Sequence, residues 1–271
     1  MNVDRSGISG RSRVLLAQLT GRGHQIVTVD DAVEKLKLAR PEAAKLLARW
    51  AEQGWLRRVR RGLYIAVPVD AERPDQWSAD PLVIATAVWA PCYFTGWTAA
   101  NYWGLTEQIF QTTVVRTATR VRSMDQTLLD HRYLVGSVSS TKLEWGIRAV
   151  WLGATRIRMA DPPRTVVDVL DDPSTGGGIR HCAEILTTYM AEHEQTQLLE
   201  YADRLGNAAV VKRLGHLCEQ LELADDRFLD ACEHRLSAGI ALLDPSAPER
   251  GERDRRWRVR INVRVSAENP S

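Results

Sequence analysis

The sequence predicts an α+β protein in two parts. A small module of three helices closed by a hairpin covers residues 1–70, and a larger mixed α/β domain covers 80–271, passing through a helical region into a basic β-strand. Three observations carry this reading. Helical and strand periodicities follow one another at short intervals in the first part. The stretch from Val67 to Pro81, "VPVDAERPDQWSADP", is polar and holds three prolines, as a linker does. Charge also changes there: residues 1–70 carry 13 Lys/Arg against 7 Asp/Glu, and residues 71–248 carry 16 against 23.

In the first part, "SRVLLAQLT" (Ser12 to Thr20) places Val14, Leu15 and Leu19 on one helical face, with Gly21 and Gly23 to stop it. Ile26 to Thr28 is long enough only for a strand stub. Thr28 or Asp30 can cap a helix through Leu36 that turns Ala32, Val33 and Leu36 inward. Pro41 suits the first position of a third helix, where its missing N–H costs nothing. That helix runs to about Gln53 with Ala43, Leu46, Leu47 and Trp50 as its apolar stripe, and Gly54 ends it.

The stretch "WLRRVRRGLYIA" (Trp55 to Ala66) then packs four arginines into five positions between β-rich residues. Leu56 to Val59 and Leu63 to Val67 read as a hairpin turning at Gly62. Three helices followed by an Arg-tipped hairpin is the order of a winged helix-turn-helix domain, in which the motif's second helix enters the major groove and the wing follows the phosphates. An Arg-rich hairpin can also be plain solvated surface. Its conjunction with a third helix bearing Lys45 and Arg49 favours duplex DNA as the partner. The residues expected to bind DNA are Arg40, Lys45, Arg49, Arg57, Arg58, Arg60 and Arg61.

In the second part, Asp80 to Ala90 reads as a helix opened by Asp80 and Pro81, and Thr95 to Leu105 as a second ending at Gly104. Strands are expected at Thr112 to Thr117, Arg132 to Val135 and Ile147 to Leu152. A short helix follows at Arg164 to Pro173. Further helices are expected at Ile179 to Ala191, Gln195 to Leu205, Ala208 to Leu221 and Asp226 to Leu236. From Trp257 to Val265 apolar residues alternate with Arg256, Arg258, Arg260, Asn262 and Arg264, predicting a strand with one cationic face. That face either protects a sheet edge or forms a second basic surface from Arg256, Arg258, Arg260 and Arg264.

Composition narrows the class. The chain has 271 residues, of which 44% are hydrophobic and 26% charged, values of a globular protein with a core. No apolar run is long enough for a membrane span, and the N-terminal residues lack the apolar segment of a secretory signal. Cys92, Cys182, Cys218 and Cys232 form no CxxC pair and read as reduced, buried thiols. The expectation is a cytoplasmic protein without a membrane partner.

Other constellations point away from catalysis. Gly176 to Gly178 could cradle a phosphate at a helix start, but the neighbouring Asp161, Asp168, Asp171 and Asp172 oppose an anion and no P-loop pattern is present. Arg164 and Asp168, four apart on a helix, are expected to pair. His216, Cys218, Cys232 and His234 match no usual zinc spacing. No nucleophile elbow or zincin motif occurs. No enzymatic activity, catalytic residue, metal or cofactor is expected.

The chain resembles the AbiEi family of antitoxins, a mycobacterial member among them. The motifs that carry the likeness are Gly54-Trp55-Leu56-Arg57-Arg58 with Arg61-Gly62-Leu63-Tyr64, "YFTGWTAANYWGL", "ADPPRTVVDVLDDPSTGGG", "KRLGHLCEQLEL" and "WRVRINV". They occur in family order along nearly the whole chain. The central motif departs from the pattern at Thr98 and Asn101-Tyr102, so no role is carried onto those residues. The resemblance implies a winged-helix N-terminal domain that represses its own operon, and a C-terminal domain that counters a nucleotidyltransferase toxin. It implies no catalytic residues. An alternative is direct capture of the toxin by the C-terminal domain, with DNA binding secondary. A third, an enzyme acting on nucleic acid, would need a metal-dependent acidic cluster.

Overall fold

In the computed structural model, residues 9–21, 25–68, 71 and 77–266 are described. The helix stop expected at Gly23 and most of the linker, residues 69–70 and 72–76, lie outside them. The fold is α+β, and the chain forms two units. One takes in the residues up to Ala90 with Gln126–Arg132 and Ala149–Ile157; the other takes in Pro91–Asp125, Tyr133–Arg148 and the residues from Arg158 onward.

The first unit begins with α1 (Gly10–Thr20), β1 (Ile26–Thr28), α2 (Val29–Leu36), α3 (Arg40–Glu52), β2 (Leu56–Arg60) and β3 (Leu63–Ala66). Local chemistry sets these bounds. Thr28 caps α2 reciprocally: its hydroxyl accepts from the Asp31 N–H at 3.0 Å, and the Asp31 carboxylate accepts from the Thr28 N–H at 2.8 Å. Pro41 sits in the first turn of α3, and Gly54 ends that helix with φ +76°, a left-handed conformation that suits glycine. The strands form an antiparallel sheet in the order β1-β3-β2. Helices and sheet close over Leu19, Val27, Val29, Ala32, Ala43, Leu47, Trp50, Trp55, Leu56 and Tyr64, all buried. Leu46, expected within the stripe, is half-buried beside it. This order is that of a winged helix. α4 (Pro81–Trp89), capped by the Asp80 carboxylate on the Leu82 N–H at 2.7 Å, is the last helix of the unit.

The remaining elements are β4 (Cys92–Phe94), α5 (Gly96–Tyr102), β5 (Thr112–Thr117), β6 (Asp125–Leu128), β7 (His131–Ser137), β8 (Ile147–Leu152), β9 (Thr155–Ala160), α6 (Pro162–Asp171), α7 (Ile179–Glu192), α8 (Thr196–Leu205), α9 (Ala208–Gln220), α10 (Asp226–Glu233), β10 (Ala241–Leu242), β11 (Glu252–Asp254) and β12 (Val259–Ile261). A six-stranded sheet runs β6-β7-β5-β4-β9-β8. In the second unit, α6 is buried almost throughout and packs among α5, α7, α8 and α9. Strands β4, β6, β9, β10 and β11 were not expected from sequence, and α10 stops at Glu233, short of Leu236.

The C-terminal strand is also shorter than its pattern. Only Val259–Ile261 is extended, because Arg258 turns the chain with φ +54°. β12 lies between β10, which it pairs in parallel, and β11, which it pairs antiparallel. The edge-strand reading is therefore corrected: both sides of this strand are hydrogen-bonded. Trp257 is fully buried, its ring lying over Gly215 of α9.

Candidate nucleic-acid interface

Lys45 and Arg49 lie one turn apart on α3 and are both exposed, because Ala43, Leu47 and Trp50 claim the opposite face for the core. On the hairpin, Arg58, Arg60 and Arg61 are exposed. The pairing of β2 with β3 shifts between Arg58 and Arg60, so Val59 forms an irregular step in the ladder just before the Gly62 turn. Among the described residues, Lys45, Arg49, Arg58, Arg60 and Arg61 have no carboxylate or carbonyl partner. Five side-chain cations are thus held out to solvent by a small, tightly cored frame.

Arg40 and Arg57 are placed differently. Arg40, the first residue of α3, is ion-paired with Asp30 of α2; their side chains are 68% and 76% exposed. Arg57 is half-buried. Its guanidinium donates to the Trp77 carbonyl at 2.6 Å and approaches the Asp130 carboxylate at 3.6 Å.

Three of the four basic C-terminal side chains, Arg256, Arg258 and Arg260, are tied to their own unit. Arg256 bridges Glu219 and Glu233, the latter at 3.2 Å. Arg258 donates to the Ser237 carbonyl at 2.8 Å, and Arg260 to the Glu249 carbonyl at 2.8 Å. Arg264 is exposed, and its backbone carbonyl accepts from Arg180 at 3.0 Å.

The remaining constellations resolve into packing. At the start of α7, behind Gly176 to Gly178, the Asp244 carboxylate accepts from the Ile179 N–H at 3.0 Å. The chain's own anion thus occupies a helix N-terminus that could otherwise face phosphate. Arg164 and Asp168 form the expected pair at 2.7 Å, with Arg164 fully buried. Tyr93 and Thr95 donate to the same carboxylate at 3.0 and 2.7 Å, and the guanidinium stacks 3.4 Å from the Trp145 ring centroid. Burial opposes the Arg164 charge, but Asp168 and Tyr93 together hold its pKa above the usual value. His216 Nδ1 lies 2.8 Å from the Asp254 carboxylate. The four thiols are free and buried, and burial pushes Cys92 and Cys232 up to about 12.

Residues 14–67 match the family model of a transcriptional regulator, the AbiEi antitoxin. This segment is an AbiEi antitoxin-type regulator domain. It spans the fold from α1 through the hairpin, so every exposed cation on α3 and the wing lies within it. No curated protein matches the chain. The whole chain is similar in structure to the RV2827C protein from Mycobacterium tuberculosis, with a TM-score of 0.66 over 95% of this chain and 93% of that one, at 14% identity. At that identity the likeness is one of fold. No helix among the described residues is long and apolar enough to cross a membrane.

Sequence reasoning missed the internal partners of this AbiEi-type domain. Nothing local to "LRRVR" marks Arg57 as different from Arg58, since Trp77 and Asp130 are distant in the chain. Asp30 could have been flagged as an exposed acid at the start of α2.

Proposed function

We propose that this chain is a cytoplasmic, non-enzymatic transcriptional repressor that binds duplex DNA in its own promoter and serves as the antitoxin of a nucleotidyltransferase toxin. The observation that carries the reading is the set Lys45, Arg49, Arg58, Arg60 and Arg61, exposed and without internal partners among the described residues, on α3 and the wing of an AbiEi-type domain. Lys45 and Arg49 suit entry of α3 into the major groove, while the wing cations suit the phosphates beside it. Like charges this dense are relieved when a polyanion neutralises them, with release of its counterions. No metal or cofactor is needed for this role.

The test is a footprint of the chain on the promoter in front of its own gene, with a reporter driven by that promoter. Protection of one discrete site, and derepression by the double variant Lys45→Ala/Arg49→Ala, is the expected outcome. A uniform footprint with no site, or repression unaffected by that variant, would overturn the proposal.

A second reading rests on the acidic balance of residues 71–248, with 23 Asp/Glu against 16 Lys/Arg. On this reading the second unit captures a basic toxin surface directly. Copurification of the toxin with a chain lacking DNA-binding cations would favour it.

A further inference from the structure

Three of the four wing arginines are exposed; Arg57 turns inward, with its side chain 19% exposed. It reaches two segments far along the chain, the Trp77 carbonyl and the Asp130 carboxylate. Beside Asp130, Leu129 helps line a groove of about 410 Å³ whose other walls are Ala48, Ala51 and Glu52 of α3 and Leu56, Arg58 and Tyr64 of the hairpin. All of these residues belong to the first unit.

Leu129 and Asp130 are the two-residue link between β6 and β7, and both are left-handed, with φ of 48° and 67°. Turns of this geometry favour Asn and Gly. A leucine persists there only where its surroundings hold it. Leu129 is half-buried and faces this groove, and the neighbouring Asp130 carboxylate, 95% exposed, lies 3.6 Å from the Arg57 guanidinium.

We infer that Arg57 is a positioning residue rather than a phosphate contact: it anchors the Leu129–Asp130 turn and the Trp77 segment to the winged helix, beside the groove that Leu129 lines. This anchor fixes the angle at which the wing presents its cations. The inference rests on the DNA-binding reading and refines it, dividing four adjacent arginines into three that face DNA and one that braces them.

The test combines DNA binding across a salt series with hydrogen exchange of the 128–131 amides in the full-length chain. Arg57→Ala is expected to weaken binding about five- to tenfold with an unchanged salt slope, whereas Arg58→Ala lowers the slope by about 0.9, the loss of one phosphate. Without DNA, Arg57→Ala is expected to speed exchange in the turn about tenfold or more, and Arg58→Ala to leave it unchanged. Arg57→Lys, which keeps a donor for the Trp77 carbonyl, should retain most of the protection. A slope lowered by one phosphate in Arg57→Ala, with exchange untouched, would make Arg57 a DNA contact and overturn the brace. Should the wild type bind no duplex at any salt, the DNA reading fails by itself, and the exchange data still decide the brace.

Discussion

Two arginine runs in this chain look alike as text and behave differently as structure. Arg57 to Arg61 on the wing and Arg256 to Arg264 near the C-terminus are both threaded with β-branched residues. On the wing, Arg58, Arg60 and Arg61 end in solvent with no partner among the described residues. Near the C-terminus, Arg256 sits between two glutamates, while Arg258 and Arg260 satisfy backbone carbonyls. The difference lies in the neighbourhood. Helices α9 and α10 bring Glu219 and Glu233 to Arg256, whereas among the described residues no carboxylate reaches Arg58, Arg60 or Arg61. Density of like charge shows that cations need partners; only the fold shows whether the chain supplies them itself.

A large effect is expected from detaching the C-terminal run. A Cβ on Gly215 would overlap the buried Trp257 ring, and neither α9 nor the ring has room to yield. Gly215→Ala is expected to cost about 3 kcal/mol or more in urea unfolding, the scale of overpacking a core or ejecting an aromatic ring from it. It also sharpens the comparison. If the C-terminal arginines are quiet because they are held, freeing them should raise salt-sensitive, sequence-independent DNA binding.

Next is Arg164, an arginine with no solvent at all. Arg164→Ala strands the Asp168 charge in the core and should cost about 3–5 kcal/mol, while Arg164→Met with Asp168→Leu should recover much of that loss. Thermal melts of the two variants check it. A single variant as stable as the wild type would show that this arginine, too, is merely decorative.

The smallest effect is in the first unit. Burial lowers the His131 pKa below its ordinary value, and Asp80 only partly opposes the shift. The unfolded chain therefore takes up a proton that the folded chain resists. Stability is full above about pH 6.5 and declines as the pH falls through that value. The melting temperature of His131→Gln should decline less than that of the wild type between neutral and mildly acid pH.

Much of the first unit was legible because its signals are local. Thr28 with Asp31, Pro41 and Gly54 mark helix ends within one turn, and the period of Ala43, Leu47 and Trp50 leaves Lys45 and Arg49 outward. Several strands stayed hidden, β4, β6 and β9 among them. β4 is three apolar residues directly before a helix, β6 is polar and mostly exposed, and β9 is threaded with Arg156 and Arg158. β4 and β6 offer no clear alternation, and that of β9, Arg156 to Met159, is only four residues long. The C-terminal alternation was real, but periodicity cannot see a positive φ at Arg258. The inward turn of Arg57 was illegible for another reason: its partners are 20 residues away at Trp77 and farther still at Asp130.

The most direct measurement is the salt dependence of duplex binding for two multiple variants, one replacing Arg58, Arg60 and Arg61 by Ala and one replacing Arg256, Arg258 and Arg260. The wing variant should lose about 2.7 from the slope of log K against log salt, and the C-terminal variant should keep the wild-type slope. A slope that falls with the C-terminal arginines and not with the wing would contradict the account.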